Sequence, residues 1–320
     1  MRRRDFIKAV VGSAAVWPLT ARAQQTDKAW RIGFIAHGHE SFYDALFEGL
    51  RGYGYEEGRN LIVERRYAQG QAERFKEFAA EMVRLNVDVV VVVTTPAALA
   101  VMNASKTIPI VHPNAIDPLN TGLIASLAHP GGNVTGGAQL TAEVSAKRLE
   151  ILKRVVPGLS RAAALWNPAI VFAWKETQNA AAALGIALQS HEVRGLKDFA
   201  SAFAKITEEH PDALLVLQDA VTMQQRNEII DFAIKRRLPS MFQEKGWALA
   251  GGLMSYGENL PSMYRRAAYF VDKIFKGAKP DDLPVEQATK FDLVVNLSTA
   301  RKIGLTIPDS ILGLADDVIE

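Results

Sequence analysis

Residues 87–96 read VDVVVVVTTP, and this stretch decides the fold. A strand with one wet face alternates apolar and polar residues, whereas valine at every position from 89 to 93 leaves no face for water. Such a run suits a parallel strand covered by helices on both sides. Thr95-Pro96 then starts a helix, with the hydroxyl at the cap and the proline in the first turn. Matching units flank it. Residues 31–36, 61–64 and 109–112 read as further strands. Between them, Phe42, Ala45, Leu46 and Leu50, then Phe75, Phe78, Ala79 and Met82, recur at helical spacing.

The same order returns after residue 160. Strands are expected at 161–166, 186–193, 213–217 and 239–242, separated by helices at about 172–184, through Phe199, Phe203 and Ile206, and through Ile229, Ile230 and Ala233. Landmarks repeat as well: Asp88 with Ile108-Pro109 is echoed by Asp212 with Leu238-Pro239. The expectation is an α/β protein of two doubly wound parallel-sheet lobes around a cleft. The last residues form no third domain. A helix at 262–276, strand-like stretches at 284–288 and 291–295, and a short helix at 298–304 would be shared between the lobes. Lobe 1 is then 30–133 plus about 259–284, and lobe 2 is 138–252 plus about 291–320. The chain crosses near 133–140, 250–258 and 284–291, and three crossings side by side make a hinge.

Residues 1–23 read as an export signal rather than as fold. Arg2, Arg3, Arg4 and Lys8 precede a short apolar run ending in Ala21-Arg22-Ala23, a small-x-small cleavage site. Arg3-Arg4-Asp5-Phe6-Ile7-Lys8 resembles the twin-arginine export motif. The apolar run is too short and too interrupted for a permanent membrane span. The chain has no cysteine, hence no disulfide and no thiol for a lipid anchor, and the periplasm is the expected address after cleavage behind Ala23. Residues 1–23 hold five Lys or Arg against one Asp, so their removal takes the net charge from +2 to −2. No basic surface for nucleic acid is implied.

Ligands of doubly wound folds bind beyond the carboxyl ends of the strands. In this chain those positions hold Ala36 to Glu40, Thr94-Thr95-Pro96, and Asn114 to Asp117 in the first lobe. The second lobe supplies Trp166-Asn167-Pro168, Gln218-Asp219-Ala220 and Gln243-Glu244-Lys245. The threonine hydroxyls and the free amides of the helix behind them suit a carboxylate. Asp117, Asp219 and Glu244 suit an ammonium group, and together the positions suit a zwitterion. Asp117 before Pro118 could equally start a turn. His39 is expected to line the cleft, and Trp166 could stack on an aromatic ligand or pack in the core. His37-Gly38-His39 alone supplies too few ligands for zinc, so no metal or cofactor is implied. No cysteine, and no serine in a nucleophile-elbow setting, offers covalent catalysis, so an enzyme is not expected.

Between the fourth strand and the second lobe lies HPNAIDPLNTGLIASLAHPGGNVTG, residues 112–136. Its part from Asp117-Pro118 through Gly122-Leu123-Ile124-Ala125-Ser126-Leu127-Ala128-His129-Pro130-Gly131-Gly132-Asn133-Val134-Thr135-Gly136 resembles the signature of ABC-transporter substrate-binding proteins of the tryptophan- and tyrosine-uptake type. The endings Leu297 to Pro308 and Asp316-Asp317-Val318-Ile319-Glu320 are similar to that family's tail. The resemblance implies a periplasmic-binding-protein fold of the three-crossing kind, closing on an amino acid or aromatic acid and delivering it to an ABC permease in the inner membrane. A monomer suits that work. By position, the family's cleft implies Thr94, Thr95, Asp117, Asn167, Asp219 and Glu244 as ligand residues. The stretch 119–129 would be a short helix at the permease-facing rim, and 133–136 the first hinge crossing. Ala115-Ile116 departs from the hydroxyl-bearing residue that many members carry before Asp-Pro. A ligand-sensing module that presents its ligand to a membrane receptor is the alternative reading.

Overall fold

The computed structural model describes residues 29–320, so the expected export signal lies outside the described residues. The first-lobe units run β1 (Trp30–Ala36), α1 (Asp44–Gly52), β2 (Leu61–Tyr67), α2 (Arg74–Arg84), β3 (Val89–Val92), α3 (Thr95–Ala104), β4 (Ile110–Ala115) and β5 (Val134–Ala138). The second lobe follows with α4 (Thr141–Val155), β6 (Arg161–Trp166), α5 (Val171–Leu184), β7 (Ala187–Glu192), α6 (Phe199–Glu209) and β8 (Ala213–Val216). It continues through α7 (Ala220–Gln224), α8 (Arg226–Lys235), β9 (Ser240–Phe242), α9 (Lys245–Leu249) and β10 (Met254–Glu258). The tail comprises α10 (Leu260–Phe275), β11 (Glu286–Gln287), β12 (Phe291–Asn296), α11 (Leu297–Ile303), α12 (Asp309–Leu312) and β13 (Asp317–Ile319).

The strands form two sheets, ordered β11-β5-β4-β3-β1-β2 and β13-β12-β10-β9-β8-β6-β7. Every pairing is parallel except β10 with β12. Valines 89 to 92 are fully buried, as their lack of alternation demands. Val89 and Val91 pack with α1 and α10 on one face, while Val90 and Val92 pack with α2 and α3 on the other. The order places β1 beside β3, and β6 beside β8, at the switch point of each sheet, where loops diverge and leave a crevice.

The tail is shared between the sheets. Helix α10 lies against α1 so closely that a Cβ on Gly49 would press on Ala268. Trp30 stacks on Phe275 with ring centroids 4.2 Å apart. The chain passes between sheets at 139–140, at Asn259 and at 288–290. The second passage falls later than the 250–258 stretch expected from sequence, because Met254–Glu258 is itself a strand of the second sheet. Residues 119–129 form turns and bends rather than the expected short helix. Pro118, Gly122 and Pro130-Gly131 interrupt any i to i+4 ladder there.

The passages are bonded to one another. Ala288 N–H donates to the Ala138 carbonyl at 3.1 Å, and Asn259 N–H to that of Lys290 at 2.9 Å. Leu140 N–H donates to Glu258 Oε1 at 3.2 Å. Beside them the buried Arg148 of α4 donates from Nε to the Tyr256 carbonyl at 2.6 Å. Burial lowers the Arg148 pKa to about 10, with Glu258 the nearby opposing charge.

Gly136 carries φ +130 in β5, and a Cβ built there would collide with the His112 carbonyl on β4. Gly136→Ala should therefore lower unfolding stability by about 3 kcal/mol or more. Gly52→Ala, where a methyl meets nothing, should change it by under about 1 kcal/mol. Urea unfolding followed by circular dichroism checks both, and a fully stable Gly136→Ala protein would contradict the β4–β5 approach.

Candidate ligand-binding cleft

A cavity of about 660 Å³ opens between the lobes at the two switch points. An adjoining space of about 500 Å³ shares His37, Thr94, Asn114, Gln139, Gln218 and Asp219 with it, so the two are one cleft. Loops after β1, β3 and β4 form one wall; the start of α5 and the β8–α7 loop form the other. Val93, Ile116, Ile170 and Phe172 make much of the lining apolar.

Four of the sequence-chosen residues meet there: Thr94, Thr95, Asp117 and Asp219. Thr94, not Thr95, caps α3, its Oγ1 accepting the Ala97 N–H at 3.4 Å. The helix therefore begins one residue earlier than the Thr-Pro pair suggests. Asp117 sits at φ +45, in the left-handed region that Asp tolerates better than most side chains. Its Oδ1 accepts Asn120 Nδ2 at 2.9 Å, so the turn and the cavity-lining roles coexist. Asp219 caps α7: Oδ1 accepts the Thr222 N–H at 2.9 Å, while its own N–H donates to Thr222 Oγ1 at 2.8 Å.

The other four do not line this cleft. Trp166 is 5 % exposed, stacked on Trp174 at 4.7 Å, with Nε1 donating to Ser190 Oγ. As the last residue of β6 its side chain still follows the pleat into the core. Asn167 is buried and accepts the Ala169 N–H at 2.9 Å, capping the short turn that sets Ile170 and Phe172 at the cavity wall. Glu244 caps α9 by accepting the Gly246 N–H at 2.8 Å. It opens on a charged space with Glu40 and Arg226, beside the hinge, which adjoins the cleft at Glu40, Phe42 and Leu260. Burial raises the Glu244 pKa, with Arg226 pulling it down. His39 is exposed, its ring 6.2 Å from that of Tyr67.

His112 and Gln139 line the cleft and escaped sequence reasoning, while His37, Asn114 and Gln218 line it from strand-end positions that the sequence had flagged without giving them a ligand role. Of His37-Gly38-His39, the structure sets His37 rather than His39 on the cavity, because β1 ends at Ala36 and His37 is the residue at the strand end. Strand β4 runs on to Ala115, three residues past the expected end, which carries His112 and Asn114 to the cavity. Polar residues continuing an apolar strand were the available signal. His37 is half-buried against Phe75; burial lowers its pKa and the Asp219 charge across the cleft partly restores it. Fully buried His112 is pushed down to about 3 by desolvation and stays neutral. Thus the cavity combines apolar walls, two carboxylates on opposite lobes, and hydroxyl and amide donors at the start of α3.

Residues 32–319 match the family model described as ABC transporter substrate binding protein. The tyrosine-binding protein of Clostridioides difficile (strain R20291) is 24% identical over 270 residues, 81% of this chain and 75% of that protein. The crystal structure of a conserved domain protein from Vibrio cholerae O1 biovar El Tor has TM-score 0.86 and 30% identity, covering 91% of this chain and 100% of that one. An ABC domain from Streptococcus pneumonia in complex with L-Trp has TM-score 0.86 and 24% identity over the same shares, which attests the fold.

Because folded His112 takes a proton only near pH 3 and the unfolded residue near 6.5, acid favours the unfolded chain between those values. Its contribution should fall by about 2 to 3 kcal/mol between pH 6.5 and 4.5. The raised carboxyls of Glu40 and Glu244 work in the opposite direction, so the variant difference is the readout. Urea unfolding against pH should show a shallower acid decline for His112→Gln than for the parent, and identical slopes would contradict a neutral, buried His112.

Proposed function

The chain belongs to the ABC transporter substrate-binding proteins, and we propose that it is the periplasmic receptor of an importer for an amino acid with an apolar, aromatic-sized side chain. The single observation that carries the proposal is the pairing of Asp117 from one lobe with Asp219 from the other across a cavity that also holds the start of α3. A ligand ammonium set between those carboxylates touches both lobes at once. Its carboxylate would take the hydroxyls of Thr94 and Thr95 and the first-turn amides of α3. Two relatives, a tyrosine-binding protein and an ABC domain in complex with L-Trp, support an amino acid of this size.

Closure follows from that geometry. A ligand shifts the lobe equilibrium only by binding one arrangement better than the other. Here the differential contacts are those of Asp219 and of the α5 start, which move with the second lobe. Gln243 Nε2 already donates to Gln139 Oε1 at 3.4 Å at the cleft floor, and Gln224 reaches Gly70 at the mouth. In this reading the closed form is what the membrane permease recognises, and the protein binds without turnover. Export through residues 1–23 belongs to the same proposal. Among the described residues no helix is long and apolar enough to cross a membrane.

Asn keeps both local duties of these carboxylates, since it caps helices and tolerates left-handed backbone nearly as well as Asp. Asp117→Asn and Asp219→Asn should therefore each weaken binding of L-tyrosine or L-tryptophan about 10- to 100-fold, while leaving the thermal midpoint nearly unchanged. Isothermal titration calorimetry with matched melting curves checks this. Parental affinity in both variants would remove the carboxylates from the site.

A further inference from the structure

Among the described residues, three buried side-chain atoms of the cleft have no partner: His37 Nδ1, His112 Nε2 and Asn114 Oδ1. His112 is the deepest of the three, 2 % exposed near the end of β4. Its Nδ1 accepts the backbone N–H of Asn114 at 3.4 Å, which leaves the ring proton on Nε2. The free atom is therefore a neutral donor.

Its position is set by the sheet. Val91 pairs with Val111, so His112 is the next residue of β4 beside the end of β3. Alternation places His112 on the same face as Ile110, which packs in one cluster with Ala97 and Ala98 of α3. The imidazole thus lies beneath the first turn of α3 and lines the same cavity as Thr94 and Thr95. Only burial moves its protonation, and among the described residues no carboxylate answers Nε2. The acceptor has to come with the ligand.

We propose that His112 is a ligand-contacting residue whose Nε2–H donates to the carboxylate of the bound amino acid, completing a seat with Thr94, Thr95 and the start of α3. The inference deepens the amino-acid reading above and rests on it. A neutral donor adds direction at the anionic end without adding positive charge. Asp117 and Asp219 are then left to answer the ammonium end, with Lys175 of α5 the cation that lines the same cavity.

The test compares the parent, His112→Phe and His112→Gln by calorimetry, with L-tyrosine and L-tryptophan against tyramine and tryptamine, which keep ring and amine but lack the carboxylate. Phe keeps the ring volume without a donor, and Gln returns a neutral N–H close to the Nε2 position. His112→Phe should weaken the amino acids about 10- to 100-fold and the amines less than about two-fold, with His112→Gln recovering most of the loss. Equal loss for both ligand types, or none for either, would overturn the assignment while leaving the amino-acid reading intact. A parent protein that binds neither amino acid would overturn both. Nitrogen-15 spectra of the histidine-labelled parent provide a readout that requires no variant. The Nε2-bound proton of His112 should move downfield on adding the amino acid and stay in place with the amine, and an unmoved resonance with the amino acid would overturn the proposal.

Discussion

Everything in this molecule depends on the three passages of chain that run side by side between the two sheets. A single linker would let the lobes tumble, whereas three bonded passages leave little beyond rotation about one axis. The bonds are specific: Ala288 to Ala138, Asn259 to Lys290, and Asn259 Nδ2 to the Asp292 carboxylate at 2.8 Å. Arg148 anchors the second-lobe side from inside the core, donating to the Tyr256 carbonyl with Glu258 close by. Both groups are buried, so removing either charge would leave the other away from water at a large cost. Because the hinge constrains the motion, Asp117 and Asp219 can be brought to one ligand from different sheets.

The cleft distributes charge in a way that suits recognition. Its carboxylates belong to residues already tied into a turn or a helix cap, Asp117 to Asn120 and Asp219 to Thr222. Each is held in place before a ligand arrives, which limits the ordering cost of binding. Thr94, Thr95 and His112 line the same cavity at the start of α3, with no arginine among its lining residues. A phosphorylated ligand would find no guanidinium fork among the residues lining this cavity. Apolar residues from both lobes fill the remainder and set the size of the ligand body.

Much of the architecture was legible because it follows from burial. The valine run could only be a strand covered on both faces, and the repeated order of units after residue 160 implied a second sheet built like the first. The tail was legible in outline, since α10 carries an apolar face that must be covered, and α1 covers it. What the sequence concealed was orientation. Trp166 and His39 were chosen for being near strand ends, yet the pleat turns Trp166 inward and the bend at Gly38 turns His39 to solvent. Glu244 occupies the equivalent loop of its lobe but opens on the charged space at the edge of the cleft. Conversely, His112 and Asn114 looked like the end of a strand and the start of a loop. Only the extra length of β4 brings them to the site. One-residue phase decides which side chain faces a ligand, and hydrophobic pattern constrains that phase least where strands end.

The central claim is that the lobes close on a zwitterionic amino acid. Native mass spectrometry of the freshly purified protein, with denaturing extraction of whatever it releases, tests this most directly. The account predicts a single released amino acid with an aromatic or branched apolar side chain. A released compound with no amine, such as a sugar or a simple carboxylic acid, would contradict it, because Asp117 and Asp219 would then face a ligand with nothing to neutralise them.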